Sequence, residues 1–201
     1  MIVLAFLAAG LNTAHCDARK NDKAKYIFLF IGDGMGYSQV AAAESYLSYQ
    51  NGKLGGEQLT FTTFPVFGSA TSHSADRRVT DSSAAGTAIS TGTKTNNKML
   101  GMDPDGNKLT SMSYDLQDDG YNVGIISSVG INHATPASFY ARNASRYTYY
   151  DIAAEIPSSG FEYFAGSGII EYFGKKEDKK GMAEVLEEKG VNVCFSKEEA
   201  K

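Results

Sequence analysis

The 201-residue chain has no tryptophan, only two cysteines and only three histidines. Cys16 and Cys194 stand too far apart for a CxxC metal or redox motif. If the segment around Cys16 is cleaved off, one thiol is left and no intrachain disulfide can form. Cys194 sits in the short apolar run from Val191 to Phe195 and reads as an inert core residue. The twelve tyrosines and eleven phenylalanines must carry the aromatic packing. A basic excess is also missing. The net charge of -4 gives no electrostatic ground for a nucleic acid partner, and none is expected.

Long apolar runs are absent too. Ile2 to Ala9 is an eight-residue apolar run, the length of a secretory h-region and too short to span a bilayer. Ala14, His15 and Cys16 offer a small-residue cleavage site after it. Residues 1–16 are therefore expected to be a signal peptide, followed by a polar leader over 17–25. That places the protein in the periplasm or outside the cell. No Lys or Arg precedes the apolar run, which leaves a buried N-terminal strand as the alternative. Cys16 could also be a lipid-anchored N-terminus, but His15 before it suits lipoprotein processing poorly.

With 42% hydrophobic and 21% charged residues, the rest suits one globular domain, 26–201. Tyr26 to Ile31 is continuously apolar, the pattern of a strand buried on both faces of a parallel sheet. Gly32-Asp33-Gly34-Met35-Gly36 follows, and then a helix pattern from Ser38 through Leu47. Weaker strands are predicted over Pro65–Ala70, Phe161–Ala165 and Val191–Phe195, and a clearer one over Asn122–Val129. Helices are predicted over Ala84–Thr91, Leu109–Asp118 before Gly120, and Met182–Lys189 before Gly190. A further helix should begin at Thr135-Pro136. Asp103 to Asn107 reads as a turn rather than a calcium loop. Ser196 with Glu199 spells a capping box at the end of the sequence. Alternating strands and helices imply an α/β fold, a three-layer α/β/α sandwich with a largely parallel sheet, incomplete at its C-terminus.

Three loops carry chemistry at the carboxyl ends of these strands. Asp33 lies among glycines, so an ion could approach its carboxylate; the alternative is a helix N-cap. Ser82, in Thr80-Asp81-Ser82-Ser83-Ala84-Ala85-Gly86-Thr87-Ala88, stands near a helix start that favours a bound phosphate; the alternative is again a cap. His133 and Thr135 straddle a third helix start. Arg146, placed within the helix that follows, could grip a phosphate with two parallel hydrogen bonds or simply be solvated.

Ile31-Gly32-Asp33-Gly34-Met35-Gly36, Val79 to Ala88, and His133-Ala134-Thr135-Pro136-Ala137 with Arg146 beyond it together resemble alkaline phosphatase. The resemblance runs in family order from about Tyr26 to Gly168. It implies hydrolysis of phosphate monoesters through a phosphoserine at a site of two zinc ions and one magnesium. Ser82 would be the nucleophile and a zinc ligand, and Asp33 would bridge zinc and magnesium. Thr135 would bind magnesium, Arg146 would clamp the phosphate, and Asp81 would hold Arg146. Some bacterial members carry Asp at the position of His133, which would lie near the magnesium as a modulator. Monoesters and inorganic phosphate would be the partners, and the full-length protein would form a homodimer.

The scarcity of histidine matters here. The family's zinc sites need several His and Asp, and neither His73 nor His133 matches a zinc-binding position. A site short of imidazoles holds zinc weakly. The chain is therefore expected to be a piece of a longer protein that lacks most zinc ligands. Two other readings stay open: a non-catalytic phosphate-binding remnant, and a phosphodiesterase or mutase of the same superfamily.

Overall fold

The computed structural model describes residues 23–196 and 198–200. The signal peptide expected over 1–16, and 17–22 of the polar leader, lie outside the described residues. The chain divides into two units, Met1–Gly32 and Asp33–Lys201.

In the first unit, Tyr26 to Ile31 is extended but belongs to no ladder. Phe28 and Phe30 stack at 6.4 Å, as side chains two apart on an extended backbone can. Phe30 is 90% exposed. The expectation of a strand buried on both faces is not met. An apolar run becomes such a strand only where a neighbouring strand takes its N–H and C=O groups and helices cover its faces. Among the described residues the only ladder lies elsewhere.

The second unit alternates helices with a parallel strand pair, and the fold is α/β. Helix α1 spans Tyr37–Gln50 and starts at Gly36, whose N–H donates to Gln39 Oε1. Its anchors are polar. Glu44 Oε1 accepts from Leu59 N–H (3.1 Å) and the Thr62 hydroxyl (2.6 Å). Helix α2 spans Ser82–Thr91 and ends at Gly92, whose φ of 71° suits a residue without a Cβ. Pro65 to Ala70 forms no strand.

Helix α3, Met112–Asp118, begins later than the pattern predicts. Leu109 N–H is already bonded to Gly101 C=O, and Ser111 donates its hydroxyl to Phe139 C=O instead of capping. The turn at Asp103 forms, with Asp103 Oδ1 accepting from Asp105 and Asn107 N–H. Strands β1, Gly124–Ile126, and β2, Tyr163–Ala165, pair in parallel with Ile125 opposite Phe164.

Helix α4 is a single turn, Ala134–Ala137. Beyond it the backbone pairs with the strip before α3: Leu100 and Asn143 exchange both N–H to C=O bonds. Helices α5, Tyr149–Ala153, and α6, Ile156–Ser159, follow. Helix α7, Met182–Glu187, gives way to a left-handed Gly190 as predicted. Val191 to Phe195 forms no strand, and Cys194 is half-exposed rather than a core residue. Ser196 Oγ accepts from Glu199 N–H, but the Glu199 carboxylate takes Phe195 N–H, so the box closes one residue early.

The core of this unit gathers Leu100, Tyr140, Ile152, Phe161, Met182 and Leu186. Tyr140 is buried there edge-on to Phe164, with its hydroxyl donating to Ile131 C=O. Burial pushes the Tyr140 hydroxyl far above its ordinary pKa.

Candidate active site

Everything in the site lies in the second unit. Asp81 is the N-cap of α2, accepting from Ala84 N–H at 3.0 Å. Ser82 is thus the first residue of the helix rather than its cap, and its hydroxyl points away from the capping role. Ser82 donates to Asp33 Oδ1 at 3.2 Å. Thr135, in the first turn of α4, donates to Asp33 Oδ2 at 2.6 Å. Asp33 is not a cap either, since α1 begins at Gly36. One carboxylate therefore joins two hydroxyls that lie far apart in sequence.

Helices α2 and α4 can meet because their facing residues are small. Ser83, Ala84, Gly86, Thr87 and Ser90 are buried along α2. A Cβ on Gly86 would fall well inside van der Waals contact distance of Ser138 Oγ and 3.0 Å from Ser138 Cβ. Ser90 donates across to Ser138 C=O at 2.8 Å. This close packing sets the spacing between the helix starts that carry Ser82 and Thr135.

Arg146 stands in a turn before α5, not within a helix as the sequence suggested. The pairing of Leu100 with Asn143 diverts the chain after α4, and Arg146 N–H then bonds to Lys98 C=O at 2.7 Å. Its side chain is only 12% exposed. Nη1 meets Asp81 Oδ2 at 3.2 Å, and Nη2 approaches His133 Nε2 at 3.5 Å. Arg146 Nε and His133 Nδ1 are buried without a hydrogen-bond partner among the described residues. Both Nη groups of the guanidinium are thus engaged, while its Nε–H is buried with no acceptor among the described residues.

The electrostatics agree with the geometry. Burial pushes the Asp81 carboxyl up, but the bonds from Ala84 N–H, the Ser83 hydroxyl and Arg146 outweigh it and hold its pKa below the ordinary carboxylate value. Asp81 is thus an anion facing Arg146. Burial, then the nearby Arg146 charge, lowers the pKa of His133, against a smaller pull from Asp33. A neutral imidazole is what Arg146 Nη2 requires, because only a lone pair on Nε2 can accept from a guanidinium.

The six residues singled out from sequence form two hydrogen-bonded triads, Ser82–Asp33–Thr135 and Asp81–Arg146–His133, which adjoin where Ser82 follows Asp81 in the chain. Three others went unrecognised. Asn132 is fully buried and pins the loop before His133, donating to Tyr149 and Ile170 C=O and accepting from Ile170 N–H. Its place next to His133 was the available hint. Asn97 and Lys98 bond to Asp81, and no pattern in the sequence pointed to them.

Metal donors can be assessed from the same set. Asp33, Thr135 and Ser82 offer only oxygens, which suits a hard cation such as magnesium. They do not make a four-coordinate zinc site, which draws on imidazole or thiolate. No group of three His, Cys, Asp or Glu that could hold a metal occurs among the described residues.

A sequence family described as alkaline phosphatase matches residues 24–177. Alkaline phosphatase 4 of Bacillus subtilis is 37% identical over 67% of this chain and 30% of its own length. The tissue-nonspecific alkaline phosphatase of Rattus norvegicus is 34% identical over 64% of this chain and 26% of its own. Among solved structures, the alkaline phosphatase of the Antarctic bacterium TAB5 superposes with a TM-score of 0.71 at 29% identity, over 82% of this chain and 45% of that one. A variant of that enzyme with Mg bound in its M3 site superposes at 0.65 with 30% identity, over 76% and 43%. The chain thus spans under a third of the length of these curated relatives.

Proposed function

The chain belongs to the alkaline phosphatase family, and from that premise we propose that it carries the nucleophile and phosphate clamp of a phosphate-monoester hydrolase. The observation that carries this reading is that Ser82, at the start of α2, shares Asp33 with Thr135 while its neighbour Asp81 holds Arg146.

In this reading Ser82 Oγ forms the new P–O bond as the ester P–O bond breaks. The serine proton ends on the departing alcohol. Water then cleaves the phosphoserine, releasing inorganic phosphate and restoring the hydroxyl. Arg146 turns its guanidinium N–H donors onto two phosphate oxygens, and the positive end of α2 favours the same charge. Asp81 keeps the guanidinium aimed, and His133 stays neutral behind it.

Asp33 and Thr135 are the residues that would hold magnesium, and Asp33 and Ser82 are this chain's share of a zinc site. A bound divalent ion would supply Lewis-acid stabilisation of the Ser82 alkoxide. The oxygens present do not complete a zinc shell, so two zinc ions need donors beyond the described residues.

The test uses the protein expressed from its complete open reading frame. Monoester turnover and a phosphorylated Ser82 peptide, found by mass spectrometry, are expected. Ser82→Ala should abolish both, and turnover that survives it rejects Ser82 as nucleophile. Diester turnover exceeding monoester turnover would favour a phosphodiesterase instead.

A further inference from the structure

Lys98 is one of three residues other than glycine with positive φ among the described residues, at 77°. A side chain with a Cβ avoids that region, so something must hold it there. Lys98 N–H donates to Asp81 Oδ2 at 3.0 Å. Lys98 C=O accepts from Arg146 N–H at 2.7 Å. A single residue therefore touches both members of the Asp81–Arg146 pair through its backbone, while its side chain is exposed. The left-handed turn is what lets the N–H and C=O of this residue reach two different segments.

Asn97 secures the other end. Its Oδ1 accepts from Asp81 N–H at 3.2 Å, and its Nδ2 donates to Val79 C=O at 3.0 Å. Its own N–H donates to Asp76 Oδ1 at 2.8 Å, a carboxylate that also accepts from the Ser74 hydroxyl at 3.1 Å. The carboxamide thus spans the residues that lead directly into Ser82. Both functions of an amide side chain, donor and acceptor, are used, which neither Asp nor Leu can reproduce.

We propose that Asn97 and Lys98 form a backbone clip that positions Asp81 and Arg146 for phosphate, and that Lys98 acts through its main chain rather than its charge. This rests on the phosphate-clamp reading of Arg146. Neither residue touches substrate. Both are positioning residues, and their effect must pass through Arg146.

The experiment measures inhibition by inorganic phosphate, in the protein expressed from its complete open reading frame. Asn97→Ala is expected to weaken it about tenfold, the worth of roughly one hydrogen bond between neutral groups. In an Arg146→Ala background the same change should add little, because the residue it serves is gone. An equal loss in both backgrounds overturns the positioning role. Lys98→Val should fall further than Lys98→Gly, since glycine adopts the left-handed turn freely and a β-branched residue does not. Equal losses for Gly and Val would mean the ammonium matters, and would overturn the backbone role. If phosphate does not bind the unaltered protein, the functional reading itself fails. The clip is then judged by amide hydrogen exchange at Arg146, which should quicken in Asn97→Ala; unchanged protection overturns it.

Discussion

Arg146 is buried with Nη1 on Asp81, Nη2 against His133 and its Nε–H unmatched among the described residues, and that arrangement has a measurable consequence. Lysine would keep the charge and could still reach Asp81, but it is a point charge without the planar fork. Arg146→Lys is therefore expected to weaken phosphate inhibition by about 10- to 100-fold, the worth of a hydrogen bond to a charged group. Inhibition within twofold of the parent would reject the fork, about the change a few tenths of a kcal/mol makes. A second residue reports on stability instead. Glu155 is held above the ordinary carboxylate pKa by burial, although Arg142 N–H donates to its Oε2 at 2.9 Å. A raised carboxylate pKa means the native state holds the proton more tightly than the unfolded chain does. Stability from this group is therefore present at low pH and falls as pH rises through the folded pKa. Glutamine keeps the acceptor and sheds the charge. Glu155→Gln should raise Tm at pH 7, and the gain should vanish near about pH 4, where the unfolded carboxyl also protonates. The same gain at both pH values would show that the charge is not the cause.

The pairing of α2 with α4 is the element on which the site depends. Helix propensity alone says that Gly86→Ala should stabilise α2 by about 1 kcal/mol. The contact with Ser138 says the opposite, because a new methyl there forces backbones apart, at about 1–3 kcal/mol. Ser138 also donates to Thr135 C=O at 2.7 Å, so the displaced group is tied to a site residue. The contact should win, with the urea midpoint falling; a midpoint that rises would show the helices free to separate. This packing was not visible in the sequence. The helical character of Ala84–Thr91 was, through its small, Ala-rich residues, but which neighbour the small face meets depends on α4. The same limit explains the misplaced Arg146. Periodicity after Thr135 reads as a longer helix, yet long-range bonds from Leu100 and Lys98 claim that backbone. Left-handed Lys98 leaves no trace in residue type at all. What could be read were groups whose chemistry is local: the acid among glycines, the serine at a helix start, the histidine and threonine around a turn.

For the molecule as a whole, the supply of metal donors separates what this chain offers from what its relatives' full length could add. Asp33 collects hydroxyls from two helices, and an oxygen-only set of that kind suits a hard cation such as magnesium better than zinc. Imidazole is scarce: three histidines in 201 residues, and the one in the site, His133, already faces Arg146. The sequence made this scarcity plain. The exposed Tyr26 to Ile31 run was not foreseeable, because burial of a strand depends on partners that its own residues do not name. The 201-residue chain, purified in zinc and magnesium and then desalted, is therefore expected to keep less than one zinc per chain by elemental analysis. Magnesium should instead shift the amide resonances of Asp33 and Thr135 on titration, and Asp33→Ala should remove that response. Stoichiometric zinc after desalting would mean that donors outside the described residues complete a site, and the shortage inferred from the histidine count would then be wrong.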